Sequence, residues 1–267
     1  MGRYFLEISY NGANYSGWQK QQNSNSVQAV LEETGKHIFR QEIQIAGSSR
    51  TDAGVHAIRQ VAQFDLEYSG PLEDHLFRWN MALPADIAIR AIRAVKPDAQ
   101  CRHEALFRRY RYCISRKKSP FAQGRSMYWY GKLEVEAMQS CASLLLQHKD
   151  FEAFSKIHTQ VKHFECQVES ANWISEDDFL FFEIQANRFL RGMVRGLVGT
   201  MMEVGKGQKT IQDFQRILES KNRRNAGENA LASGLFLMEV GYPAEIYLDS
   251  LPPISGETKL FLFPDAS

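Results

Sequence analysis

The sequence predicts an α+β protein of two ferredoxin-like (split βαβ) halves, with a continuous, mostly antiparallel sheet, helices on one face and a central cleft. Three observations carry this expectation. Apolar periodicities alternate as strand, helix, strand, strand, helix, strand; the same order recurs later in the chain; and 267 residues suffice for two halves, each with its own core. The expected division is 1–103, carrying an Asp-containing loop, then 104–247, then a C-terminal tail at 248–267.

In the first half, residues 4–10 alternate, with Tyr4, Leu6, Ile8 and Tyr10 on one face, and Asn11-Gly12 breaks the run. Ser26 can cap a helix whose apolar stripe is Val27, Val30, Leu31 and Ile38. A strand-like stretch at 42–46 follows, then the Asp52 loop, then a strand at 60–66 with Ala62, Phe64 and Leu66 on one face. A helix near 73–82 and a strand at 87–95 complete the half.

The second half opens with a strand at 107–114, where Tyr110, Tyr112 and Ile114 alternate with Arg109, Arg111 and Cys113. A helix at 134–148 presents Val135, Met138, Ala142 and Leu145 as its apolar stripe. Strands at 164–174 and 178–186 are joined by the turn-prone Ser175-Glu176-Asp177-Asp178. A helix at 189–204 buries Phe189, Leu190, Met193, Val194, Leu197, Val198 and Met201, and a short helix near 211–220 and a strand at 235–242 follow. The tail contains Pro252-Pro253 and ends in Leu260-Phe261-Leu262-Phe263, an apolar end suited to docking on the body or on a second copy.

Composition narrows the function classes. A chain that is 44% hydrophobic and 24% charged fits a soluble globular protein, and no run approaches the roughly 20 apolar residues of a membrane helix. Met1-Gly2-Arg3-Tyr4-Phe5 opens into strand-like sequence rather than a signal peptide, so a cytoplasmic, membrane-free location is expected. Cys101, Cys113, Cys141 and Cys166 lack zinc-ligand spacing and are expected as reduced, mostly buried thiols. There is no phosphate-cradling glycine loop, two-histidine helix motif or Gly-x-Ser-x-Gly elbow, so neither metal nor nucleotide cofactor is expected. The net charge of +1 conceals local basic stretches: eight cations against Glu104 over 101–125, and nine against three acids over 188–224. Such stripes suit a polyanion gripped by its backbone, and equally suit ordinary solvated surface.

The candidate chemistry centres on Gly47–Ala57. Asp52 precedes Gly54 in a tight-turn pattern that is commonly structural, while Arg50 nearby could hold the carboxylate ionised and oriented. Arg188, Arg191 and Arg195 step by three and four residues along the 189–204 helix and so share one face. Arg195 is the deepest of them, and its anion is either a phosphate or a carboxylate such as Asp52. Tyr110 belongs to an alternating face that reads as core, or as a wall on which a base stacks. His56 reads as a structural histidine bonded to backbone near its turn rather than as a catalytic one.

These residues sit within a longer resemblance. Tyr10-Asn11-Gly12-x-x-Tyr15-Ser16-Gly17-Trp18-Gln19, Ser26-Val27-Gln28 and Arg50-Thr51-Asp52-Ala53-Gly54-Val55-His56 resemble the tRNA pseudouridine synthase A family. Further matches follow in order: Asn80-Met81-Ala82-Leu83-Pro84 with Asp86-Ile87, Arg109-Tyr110-Arg111-Tyr112, Asp150-Phe151 with Phe154, Met193-Val194-Arg195 with Gly199, and Gly234-Leu235-Phe236-Leu237 with Tyr242-Pro243. The resemblance spans residues 4 to about 243. It implies isomerisation of uridine to pseudouridine in the anticodon stem-loop of tRNA, at positions 38 to 40, without a cofactor.

By the same resemblance Asp52 is the catalytic carboxylate, acting on the ribose or the base as nucleophile or as base. Tyr110 contacts the target uracil, Arg195 pairs with Asp52, and Arg50 fills the gap that the flipped nucleotide leaves in the RNA stack. The central cleft then binds RNA, and a homodimer with tRNA lying across both subunits is implied. Two positions depart from the family pattern: Ser49, where glycine is usual, and the stretch 158–168, which lacks an arginine often found there. The competing readings are a tRNA-binding protein of the same fold without turnover, and a zinc-dependent base deaminase, whose His-x-Glu and Cys-x-x-Cys ligands are missing.

Overall fold

A computed structural model describes residues 1–68, 70–156 and 163–248. Positions 158–162 of the departing stretch, and the expected tail beyond Leu248, lie outside the described residues. Among the described residues the chain is α+β, with nine strands and five α-helices, and its mixed sheet pairing is mostly antiparallel. Two compact units are present: Met1–Leu106 together with the described residues from Leu237 onward, and Phe107–Phe236. No helix among the described residues is long and apolar enough to cross a membrane.

The first unit contains β1 (Gly2–Tyr10), α1 (Val27–Phe39), β2 (Ala46–Gly47), β3 (His56–Leu66), α2 (Glu73–Ala82) and β4 (Ile87–Val95). β1 is central and antiparallel to both neighbours, with Leu6 opposite Ala62 of β3 and Ile92 of β4. β2 pairs with β3 through Ala46 and Gly47. α1 begins where Ser26 accepts the Ala29 N–H on its hydroxyl at 3.3 Å, satisfying one of the donors that a helix start leaves open.

The even-numbered residues of β1 face an aromatic core. Fully buried Trp79 meets Phe39 and Phe64 edge-on, at 5.3 and 5.8 Å between centroids, and its indole N–H donates to Thr34 Oγ1 at 2.9 Å. The other face of β1 is buried as well, which period-two reading does not anticipate: Phe5 and Glu7 are both covered. Burial pushes the Glu7 carboxyl up from its ordinary value, with Arg59 and Arg93 opposing, and Arg93 lies 3.9 Å from the Tyr247 ring centre.

The strand expected over 42–46 forms only at its end. Ile43 and Ile45 are buried, so their alternation reports burial correctly, but α1 side chains take the place of a ladder there. The Ile45 N–H donates to Glu32 Oε1 at 3.1 Å, and its carbonyl accepts from Gln28 Nε2 at 2.9 Å.

The second unit contains β5 (Phe107–Ser115), β6 (Met127–Tyr128), α3 (Val135–Leu144), β7 (Val168–Glu176), β8 (Phe179–Ala186), α4 (Met193–Gly205) and α5 (Ile211–Glu219). The boundary between units falls inside β9 (Leu235–Gly241). β8 lies between β5 and β7, with Phe182 opposite both Tyr112 and Trp173, while β6 adds a short parallel pairing to β5. Asp177, at φ 48°, makes the β7–β8 turn. α5 opens on a capping box in which Thr210 and Asp213 each bond the other's backbone N–H.

α3 stops at Leu144 instead of 148, β7 starts at Val168 instead of 164, and α4 starts at Met193 instead of 189. All four cysteines are buried free thiols, and burial pushes those of Cys113, Cys141 and Cys166 up to about 12. Because Trp79 fills the first unit's core, Trp79→Ala should cost about 3–5 kcal/mol in urea unfolding; a loss below 1 kcal/mol would mean that the core closes over the gap.

Candidate active site

The Asp52 loop is built by two segments that lock together through their backbones. From Asn11–Trp18, the Trp18 N–H donates to the Thr51 carbonyl at 3.1 Å, and the Tyr15 carbonyl accepts the Gly54 N–H at 3.3 Å. The Gly12 N–H donates to His56 Nδ1 at 3.1 Å, and the Tyr10 and Thr51 hydroxyls lie 2.8 Å apart. On the other flank the Ser48 N–H donates to the Val61 carbonyl at 2.8 Å, and Gln60 Nε2 donates to the Ser49 carbonyl at 2.8 Å. Residues on both sides of Asp52 are therefore fixed, and the turn closes where Gly54, at φ 77°, brings the Val55 N–H onto the Asp52 carbonyl at 3.1 Å.

Gly17 shows how tight this lock is. Its φ is 102°, and a Cβ there would stand 2.5 Å from the Thr51 carbonyl oxygen. Beneath it, Asp86 anchors the first segment: its carboxylate accepts the Tyr15 hydroxyl at 2.5 Å and Asn14 Nδ2 at 3.1 Å, and its carbonyl accepts the Asn11 N–H at 2.9 Å. Burial, then the bond to Asp86, pushes the Tyr15 phenol well above its ordinary value. Asn80 ties α2 to β4 by bonding both the N–H and the carbonyl of Ile89, at 2.8 and 2.9 Å, and so sets the turn that delivers Asp86.

Within this frame Asp52 is half-buried and Arg50 is exposed. The expected contact between them is not made. Arg50 has no hydrogen bond or ion pair among the described residues, because the chain at 50 turns its side chain to solvent. His56 is 2% exposed and serves as a backbone acceptor, the structural role expected of it. Ser49 lies outside the left-handed region, so serine fits there without strain.

Tyr110 and Arg195 belong to the second unit. Tyr110 is 7% exposed, and its ring meets Phe189 edge-on at 5.0 Å. Arg108 shares its face of β5, is equally buried, and donates to the Asn187 carbonyl at 2.8 Å, a contact that alternation alone does not reveal. Arg195 sits in the first turn of α4, half-buried, with Nε donating to the Ala230 carbonyl at 2.7 Å.

The arginine row expected along one helix face is not formed. Gly192, at φ 77°, caps α4, so Arg188 and Arg191 precede the helix, and Arg188 instead reaches His163 at 3.0 Å. Parts of both basic stretches also serve the fold: Arg111 pairs with Glu183, Lys117 with Asp178, Arg216 with Asp213 and Lys221 with Asp150. Among the described residues, no group of three His, Cys, Asp or Glu side chains is placed to hold a metal ion.

The chain's sequence places it in an RNA-modifying class: residues 8–104 and 142–243 match the sequence model of a family described as tRNA pseudouridine synthase. A tRNA pseudouridine synthase A of Porphyromonas gingivalis is 43% identical over 252 residues, covering 93% of this chain and all of that protein. Its counterpart in Parabacteroides distasonis is 42% identical, covering 92% and 98%, and that of Bacteroides thetaiotaomicron is 40% identical, covering 96% and 100%. The chain belongs to the tRNA pseudouridine synthase A family.

Gly17→Ala should lower stability by about 1–3 kcal/mol, from the left-handed strain alone. It should also slow single-turnover isomerisation by about tenfold or more, because the Thr51-Asp52 peptide must shift. Melting curves and rapid-quench rates check both; native stability and turnover would show that the loop accommodates a side chain at position 17 without shifting.

Proposed function

We propose that this protein isomerises uridine to pseudouridine in the anticodon stem-loop of tRNA, at positions 38 to 40, with Asp52 as the catalytic carboxylate. The braced Asp52 loop carries this reading: a half-buried carboxylate stands on a turn fixed from both sides, and the residues that fix it from the Tyr10–Trp18 side belong to the family motifs. The reaction breaks the C1′–N1 glycosidic bond, turns the uracil and joins C5 to C1′. The C5 proton then leaves and N1 gains one, so atoms balance without a redox partner. Asp52 acts on the ribose or the base once the nucleotide has left its stack.

Exposed Arg50, two residues away on the same rigid loop, is suited to enter the RNA as the base swings out. Tyr110 supplies an aromatic wall for the uracil, and Arg195 a cation to pair with Asp52. The ferredoxin-like reading of the two halves is supported by β1 lying between β3 and β4, with β2 on the outer side of β3, and by β8 lying between β5 and β7. A homodimer that holds tRNA across both subunits completes the proposal.

With tRNA tritiated at uracil C5, the protein should release label, and Asp52→Asn should cut the rate on the order of 10³-fold or more while tRNA affinity changes little. Substantial residual release would remove Asp52 from the chemistry. Sequencing pseudouridine in tRNA from cells with and without the protein should show loss confined to positions 38 to 40. Binding should also weaken steeply with salt as cations on the RNA backbone are screened; a flat dependence would free the basic stretches from that role.

A further inference from the structure

Arg195 stands at the wrong end of a helix for a cation. In the first turn of α4 the exposed backbone N–H groups already carry partial positive charge, so the placement does nothing for the helix. Something else holds it, and that is the loop from Asn222 to Ala230. The Ala230 N–H donates to the Arg195 carbonyl at 3.0 Å, while Arg195 Nε donates back to the Ala230 carbonyl at 2.7 Å, so one residue grips Arg195 by backbone and side chain at once. The loop lies hard against α4: a Cβ at Gly199 would stand 1.9 Å from the Glu228 carbonyl oxygen. The Gly227 N–H donates to Thr200 Oγ1 at 2.9 Å, and that buried hydroxyl donates to the Gly196 carbonyl at 2.8 Å.

The loop is itself gathered by one side chain. Half-buried Arg223 donates through Nη1 to the carbonyls of Ala226 and Gly227, at 3.3 and 3.0 Å, and through Nη2 to Asn229 Oδ1 at 2.9 Å. Three acceptors on one planar fork demand a guanidinium, since an ammonium cannot reach them in that geometry.

We propose that Arg223 is a positioning residue for the reaction: by folding the loop it sets Ala230, and through Ala230 it fixes the guanidinium of Arg195. This rests on the role proposed above for Arg195 beside Asp52. The guanidinium of Arg223 is spent on two backbone carbonyls and the Asn229 side chain, all within its own loop.

The test is a double-mutant cycle on the full-length protein with tritiated tRNA, joined to melting curves and tRNA affinity at several salt concentrations. Arg223→Ala should lower kcat about tenfold, with Kd and its salt dependence unchanged. In the Arg195→Leu background the same change should cost no further turnover, because the group it positions is gone. Arg223→Lys keeps the charge and tests the geometry should the alanine variant melt too low; it should also lose most of the wild-type kcat.

Multiplicative losses in the double variant would overturn the proposal, as would native kcat in Arg223→Lys. Weakened affinity with a shallower salt slope would make Arg223 a phosphate contact instead, which also overturns it. Native turnover in Arg195→Leu would reject the role of Arg195 and this inference together, whereas a slow Arg195→Leu with an independent Arg223→Ala loss rejects this inference alone.

Discussion

Backbone groups of Asn11–Trp18 meeting those of Ser48–His56 form the contact on which the first unit's candidate chemistry depends. The Thr51 carbonyl and the N–H groups of Gly12 and Gly54 all find partners across this seam, so the two segments are joined by main-chain bonds at several points. A loop cross-linked in this way has few alternative conformations. Asp52 therefore projects from a braced surface, which suits the preorganised catalytic role proposed for it.

The seam explains why the two motifs occur together. Neither Tyr10–Gln19 nor Gly47–Ala57 makes sense as an independent turn. The first supplies a close backbone surface, through Gly12 and Gly17, and the second supplies the carbonyls and the histidine that rest on it. Asp86 extends the arrangement into β4, joining through Tyr15 and Asn14 a region 71 residues away in sequence. The carboxylate that matters structurally and the one proposed to matter chemically thus do different work: Asp86 is consumed by phenol and amide donors, while Asp52 stands half-buried on the turn.

Much of this was legible in the sequence, for reasons that can be named. Period-3.6 and period-two patterns located α1 and β5 because each buries a clear face, β1 was located from one of its two buried faces, and Ser26 marked its helix start by its hydroxyl. Patterning failed where side chains replaced ladder partners, as at Ile43 and Ile45, and where a left-handed glycine overrode helical spacing, as at Gly192. The Arg188–Arg191–Arg195 row was a true spacing on a helix that had not yet begun. Arg223 left no signal at all, since two of its three acceptors are carbonyls that any residue would supply.

The seam also divides the loop by evolvability. What fixes its path is main-chain bonding and a few glycines, so Ser49, Arg50 and Ala53 project from a route that their own side chains do not determine. Such a loop can exchange its outward residues while the carboxylate stays in register. A designer could therefore alter the outward surface of the loop without rebuilding the turn beneath it. Ser49 lies outside the left-handed region, so the backbone at that position makes no demand for a glycine.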